Sequence, residues 1–202
     1  MPPSAAPRIE PLSPPYAADA QVLLDKWMGS AGQVEPLRLF RTLAVHDDLA
    51  SRMRPLGAGL LAHGLLAPRD REIMIHRTCA RAGAEYEWGV HVIAYGRPLG
   101  LSDAQLAATV HGGAEDPAFS EHERLLIRLA DELHDTCAVS EELWTALAER
   151  FSDGELLELL VLAGQYRIIS YVVNGARVEL EPWAPRFPSA AAPAGAQPSP
   201  QQ

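Results

Sequence analysis

Glu72, His76, Glu85, Glu87 and His91 fall within twenty-one residues, REIMIHRTCARAGAEYEWGVH (71–91), of an otherwise apolar helical pattern. Charged side chains seldom lie on a buried surface unless they are paired or used. Glu72 and His76 are four residues apart, and so are Glu87 and His91. On a helix that spacing sets each carboxylate beside its imidazole on one face. A carboxylate next to a histidine moves protons near neutral pH. The dinuclear metal centres of helical bundles use Glu-x-x-His instead, with further glutamates from other helices. The pattern therefore points to acid/base chemistry with no metal and no other cofactor. Other readings of the same residues remain open. Glu72 could serve a helix N-terminus, Glu87 and His91 could form a surface pair, and Tyr86 and Trp88 could be core aromatics. His76 reads as structural.

The elements that must place these groups are helices. Ala17 to Met28 has helical apolar periodicity and stops at Gly29-Ser30-Ala31-Gly32. Pro36 opens a short helix, LRLFRTLAVH, and Asp48 begins another in which Pro55 predicts a kink or break. Pro68-Arg69-Asp70 starts a helix running to about Ala82, with Gly83 as the break and a second helix over Tyr86 to Tyr95. Ser102 with Gln105 and Ser120 with Glu123 read as capping boxes, and Ser140 as a further helix start. The most apolar helix runs from Glu155 to about Val173 and is central to the fold or buried at a subunit contact. No stretch alternates like a strand. An all-α domain of about eight helices is expected over residues 16–184. A proline-rich extended arm (1–15) precedes it, and a disordered Pro/Ala-rich tail (185–202), with Phe187 its only large apolar anchor, follows.

Hydrophobic residues make up 48% of the 202 and charged residues 21%, enough for one globular core. A net charge of -9 excludes phosphate-backbone binding as the main task, so no nucleic-acid partner is expected. No contiguous apolar run reaches the roughly 18 residues of a membrane span, and the N-terminus lacks a secretory pattern. A cytoplasmic protein with no membrane partner is the expectation. Cys79 and Cys137 form no CxxC and read as two buried thiols in a reducing compartment, though a disulfide between them stays open.

The succession PLRLFRTLAVH, APRDREIMIHR, GAEYEWGVH, GLSDAQLAA, SEHERLLIRLADELHD and ELLELLVLAGQYRIISYVVN, over about Pro7 to Trp183, resembles the carboxymuconolactone decarboxylase family, which includes the AhpD-like proteins. The resemblance implies an oligomeric all-helical fold, a trimer or hexamer, with a site around residues 71–91. In the AhpD-like branch a glutamate is followed twelve residues later by the first cysteine of a CxxC, and a histidine lies four beyond the second. Glu72 and His91 match that pattern, but the cysteine positions hold Ala84 and Glu87. Peroxide reduction by that route needs an attacking and a resolving thiol, so thiol chemistry is not expected and the acid/base frame remains.

The decarboxylase branch implies loss of carbon dioxide from a small carboxylated lactone, or a related isomerisation. Glu72, Glu87 and His91 are the candidate catalytic residues. Tyr86 and Arg71 are the candidate substrate-binding residues, although Arg77 or Arg81 could equally hold a carboxylate. Gln165, Tyr166 and Arg167 could bond across a subunit interface or close the site. The alternative is a non-catalytic helical oligomer that binds a ligand or partner protein.

Overall fold

The computed structural model describes residues 6–28 and 35–189. Among them are nine α-helices and no strand: α1 (Ala18–Met28), α2 (Arg38–Leu43), α3 (Asp47–Ala62), α4 (Pro68–Arg81), α5 (Glu85–His91), α6 (Asp103–His111), α7 (Glu121–Thr136), α8 (Glu141–Ala148) and α9 (Asp153–Ala176). A 3-10 turn, Ala44–His46, joins α2 to α3, and a π turn, Val92–Gly96, continues α5. The helix expected over Tyr86 to Tyr95 thus changes winding after His91.

Helix α4 is the centre. Every residue from Arg71 to Cys79 is buried, because α5, α6, α7 and α9 surround it. A second layer, α1 to α3, leans on this group through α9. Capping boxes at Ser102/Gln105 and Ser120/Glu123 form as the spacing predicts, and a third forms at Ser152/Glu155. Each satisfies backbone N–H groups that a helix start leaves free. Pro55 neither breaks nor ends α3. It lies on the exposed side, where water can hydrate the carbonyl that its missing N–H leaves unpaired.

Helix α9 corrects the reading of membrane spans. By length and composition it is long and apolar enough to cross a membrane, since its few charges are spread among apolar residues. Half of that stretch is buried inside the protein, so its inner side is already committed to the core.

The two ends of the chain are tied to the helices. The N–H of Arg8 donates to the carbonyl of Ala176 (2.8 Å), and the N–H of Leu12 to that of Arg41 (3.2 Å). Residues 1–5, part of the expected arm, and the glycine-rich stop at 29–32 lie outside the described residues. The tail expected from Pro185 does not begin there. Phe187 packs edge-on against Trp88, with ring centroids 5.4 Å apart, and its N–H donates to Glu85 (2.8 Å). The physical reason is Gly89: a Cβ there would sit 2.3 Å from the carbonyl oxygen of Pro185, so only glycine lets the strap lie flat on α5. Residues 190–202 lie outside the described residues.

Gly89→Ala is accordingly expected to lift this strap, costing about 1–3 kcal/mol of stability and speeding tryptic cleavage after Arg186. Gly59→Ala, where a Cβ meets nothing within 4 Å, should leave cleavage unchanged and stability equal or higher. Denaturant titration and limited proteolysis read both.

Candidate active site

Gly83, with φ +64°, reverses the chain between α4 and α5. The N–H of Gly83 reaches the carbonyl of Ala80, and that of Ala84 reaches Cys79. This double closure is favoured where a glycine takes up the left-handed conformation. The reversal brings His91, at the end of α5, level with Glu72 in the second turn of α4. His91 Nδ1–H donates to Glu72 Oε2 at 2.8 Å, and His91 Nε2 lies 3.4 Å from Glu87 Oε1. The other Glu72 oxygen accepts from Arg71 Nε at 3.2 Å.

Of the two i,i+4 pairs, one is the contact that spacing predicts and the other is not. Glu87 and His91 face each other. His76 instead turns its Nδ1–H onto the backbone carbonyl of Glu72 (2.7 Å), leaving 3.9 Å to the carboxylate. The hairpin therefore hands the Glu72 carboxylate to His91.

Electrostatics follow from this geometry. Burial alone would lower the basicity of His91, but the Glu72 and Glu87 carboxylates outweigh it, and its pKa is pushed up to about 9. Burial would raise Glu72, but His91, His76 and Arg71 hold it below the usual carboxylate range. His76 is driven down to about 4 by burial and by the charge on His91, against the pull of Glu72. At neutral pH the cluster is thus a carboxylate at Glu72, an imidazolium at His91 and a neutral His76.

A cavity of about 530 Å³ opens between the α1–α3 layer and the central helices. Glu87, His91 and Gln165 are the polar groups deep in its lining, and Trp27, Phe40, Tyr95, Tyr166 and Trp183 are its aromatic walls. The His91 ring sits 5.0 Å from both the Tyr95 and Tyr166 rings. Glu72, fully buried, is not in the lining and stands behind His91. Among the described residues no trio of His, Cys, Asp or Glu donors converges as a metal site.

Two sequence candidates are placed away from the cavity. Arg71 is held by Glu72, by the carbonyl of Leu61 (2.8 Å) and by the face of Tyr95. Its neighbours offer no better anchor. Arg77 makes a two-pronged pair with Asp131 (2.7 and 2.9 Å), and Arg81 pairs with Asp135. Tyr86 donates its O–H to Glu181 (2.7 Å) and accepts from the N–H of Leu39 (3.0 Å). Glu181 also accepts from the N–H of Arg38 (2.6 Å). Together they cap α2, which has no side-chain cap of its own. Tyr86 therefore holds a wall of the cavity rather than an occupant.

Sequence reasoning missed the charged rim. Lys26 on α1, Arg54 on α3 and Glu35, which pairs with Arg41 (3.0 Å), border the cavity, and no local spacing links them to residues 71–91. The Gln165-Tyr166-Arg167 cluster splits: the first two line the cavity, while Arg167 turns to His134 and Tyr171. Neither thiol reaches this cavity. Cys79 is fully buried, its pKa raised by that burial, and Cys137, expected to be buried, is exposed. Both are free, so the open question of a disulfide between them is answered.

No protein-family model matches the sequence, and no curated protein matches it. Solved structures match it in fold. A Cys-to-Ala variant of the debrominase Bmp8, in complex with 2,3,4-tribromopyrrole, is 15% identical with a TM-score of 0.73, over 89% of this chain and 95% of that one. An uncharacterized peroxidase-related protein from Silicibacter sp. TM1040 is 14% identical with a TM-score of 0.74, over 93% and 97%. The alkylhydroperoxidase AhpD core of an uncharacterized peroxidase-related protein from Ralstonia eutropha JMP134 is 17% identical with a TM-score of 0.67, over 88% and 95%. At such identities the likeness is one of fold: the chain has the all-helical AhpD-like fold.

The charge state of His91 is directly measurable. Because its folded pKa of about 9 lies above the ordinary 6.5, its contribution to stability is complete below pH 6.5 and is lost as pH rises through 9. Glu72→Gln keeps the shape and removes the main counter-charge. It should lower the His91 pKa, seen by NMR titration of the ring, and flatten the alkaline fall of stability seen by denaturant titration.

Proposed function

We propose that the protein is a cofactor-free acid/base enzyme acting on a small carboxylated or lactone-type molecule with a flat conjugated ring, by decarboxylation or a related proton-transfer isomerisation. The observation that carries this reading is the pair at the cavity wall: an imidazolium, held by a buried carboxylate behind it, beside a second carboxylate facing the same space. His91 Nε2–H is the acid, Glu87 the base, and Glu72 the group that fixes the ring and its charge. Imidazole and carboxylate in contact form a natural acid/base couple.

In the decarboxylation, the bond from ring carbon to carboxylate breaks and its electron pair passes into the conjugated lactone. His91 then delivers its proton to the remote carbon, and solvent returns one proton to His91 by way of Glu87. The balance is one carboxylate and one proton in, one C–H bond and carbon dioxide out. In an isomerisation Glu87 removes one proton and His91 supplies another. The aromatic walls suit a planar ring, and the Gln165 amide can donate to a lactone carbonyl. Lys26 and Arg54 at the rim supply the cations that a substrate carboxylate needs. The debrominase Bmp8, of the same fold, was crystallised with a small brominated pyrrole, which supports a ring of this size as the occupant. A cytoplasmic setting belongs to the same proposal.

Purified protein should turn over 4-carboxymuconolactone or a related unsaturated acid without additives, and in D₂O it should place one deuterium at the remote carbon. His91→Ala and Glu87→Gln should each lose about 10²- to 10⁴-fold in kcat/KM. Activity should fall as pH rises through about 9, where His91 loses its proton, and Glu72→Gln should bring that fall to lower pH. Full activity in His91→Ala would remove the assigned acid. Binding of such acids, read from Trp27 and Trp183 fluorescence, with no turnover of any would make the protein a binder instead.

A further inference from the structure

The cavity beside His91 is larger than its reacting groups require. A space of about 150 Å³ takes one benzene ring, so a cavity of about 530 Å³ has room for about three. Its polar groups fall into two sets. Glu87, His91 and Gln165 are buried, at 7%, 3% and 6% exposure, and mark the inner end. A side chain at Gly57 on α3 would cover the Gln165 amide, since a Cβ there would stand 3.7 Å from Nε2; glycine leaves that tip open. Lys26 and Glu35 are exposed and Arg54 is half-buried, and these mark the mouth. The lining between the two sets is mostly apolar, and Trp27 and Phe40, with ring centroids 4.6 Å apart, form one wall of it. The charges at the mouth do not cancel. Glu35 is taken by Arg41 (3.0 Å). Arg54 Nε donates to the carbonyl of Lys26 (2.8 Å), which ties α3 to the last turn of α1. Among the described residues no carboxylate pairs with Lys26 or Arg54. Two such cations, ahead of an apolar space that ends on an acid and a base, fit an elongated anion.

We infer that the occupant is a flat fused-ring acid, two or three rings long, with its carboxylate on Lys26 and Arg54 at the mouth and an enolisable ketone in its innermost ring at Glu87 and His91. This rests on the acid/base reading above for the roles of His91 and Glu87, and adds the length, the orientation and the choice of reaction. A carboxylate anchored at the mouth stays on the molecule, so the step at the inner ring is isomerisation and not loss of carbon dioxide. Glu87 removes a proton from the carbon beside the ketone. The electron pair of that C–H bond forms a C=C bond, and the ketone oxygen takes the proton of His91 Nε2. One C–H bond is exchanged for one O–H bond, and the ketone becomes an enol with nothing else consumed. A one-ring acid would fill only about a third of the space. An aliphatic acid fits less well than fused rings. Flat aromatic walls favour rings that stack on them, and ordering a flexible chain costs rotamer freedom that a fused ring does not have.

The test uses the full chain and calorimetric titration at neutral pH. Benzoate, 2-naphthoate and anthracene-2-carboxylate should bind in rising order, about tenfold per added ring. Ala58 on α3 lines the cavity, and Ala58→Trp should abolish that gain, which non-specific adhesion would keep. The double change Lys26→Gln/Arg54→Gln, at the solvent side, should weaken all three acids about tenfold or more and leave binding of uncharged 2-naphthalenemethanol as it was; it carries the test should Ala58→Trp fail to fold. In D₂O, 1-tetralone-6-carboxylate should exchange the hydrogens beside its ketone faster with the protein than without it, followed by NMR, and Glu87→Gln should remove the acceleration. The inference is overturned by equal affinities across the series, by a gain that survives Ala58→Trp in a folded protein, by acids that bind as well without the two cations, or by tighter binding of decanoate than of anthracene-2-carboxylate. Exchange with a flat series overturns this inference alone. A rising series with no exchange overturns the enolisation and the acid/base reading with it.

Discussion

Everything at this site depends on one buried negative charge. Glu72 has no contact with water, and an ionised carboxylate taken out of water is costly unless cations and hydrogen-bond donors replace the lost hydration. Arg71 satisfies one oxygen and His91 the other. The first partner comes from the same turn of α4. The second can arrive only because α5 folds back over α4 at Gly83. The tertiary arrangement of the α4–α5 hairpin and the protonation of His91 are therefore two consequences of one requirement. A neutral His91 would leave Glu72 half compensated, so the protein keeps the ring charged up to a pH of about 9. His76 sits within reach of the same carboxylate but is spoken for by a backbone carbonyl, and it stays neutral. Two histidines of similar burial thus diverge in basicity because only one of them receives the carboxylate hydrogen bond.

Around this pair, the rest of the chain sets the shape of the cavity. The C-terminal strap contributes Trp183 to its wall and Glu181 to the start of α2. Through Tyr86 and Glu181, α5 and the strap fix the helix that carries Leu39 and Phe40. The π turn after His91 lets Tyr95 come back against the imidazole. Such widened turns are frequent at functional sites because they re-aim side chains that an unbroken α-helix would carry round. Segments far apart in the sequence are thereby made interdependent, with the hydrogen bonds of Tyr86 joining three of them.

What could be read in the sequence was what depends on short-range spacing. Serine starts, the break at Gly83, the apolar period of α9 and the Glu87–His91 pair are all local, and each appears where it was expected. Other features depend on who meets whom across the fold. Beyond the adjacent Glu72, nothing near Arg71 in the sequence shows that Leu61 and Tyr95 also hold it, and nothing near Tyr86 shows that Glu181 does. Nothing in α1 or α3 marks Lys26 and Arg54 as bordering the cavity that His91 lines. The residues after Pro185 have the composition of an unfolded tail, and the complementarity of Phe187 with Trp88 over a glycine is invisible to composition. Glu72 is instructive because its spacing to His76 was a valid sign of proximity to an imidazole, but the competition between a carboxylate and a backbone carbonyl for that imidazole is decided by rotamers.

The family resemblance would place sulfur at positions 84 and 87, where this chain has Ala84 and Glu87, and that difference bears on what the proposed frame could do. A thiolate and a carboxylate at position 87 would both stabilise the imidazolium of His91, since each places a negative charge near it. They differ in what happens next. A thiolate attacks peroxide or disulfide sulfur and needs a second thiol to release it. A carboxylate forms no bond to another thiol and can only accept and return a proton or pair with a cation. Ala84 is fully buried with nothing reactive to offer, so a thiol at position 87 alone would have no resolving partner there. Glu87 faces the cavity 3.4 Å from His91 Nε2, so in the proposed reaction the charge that supports His91 would also be the base that completes a proton cycle. Under the proposed function, a carboxylate at position 87 would keep the electrostatic support of His91 and exchange sulfur reactivity for proton transfer.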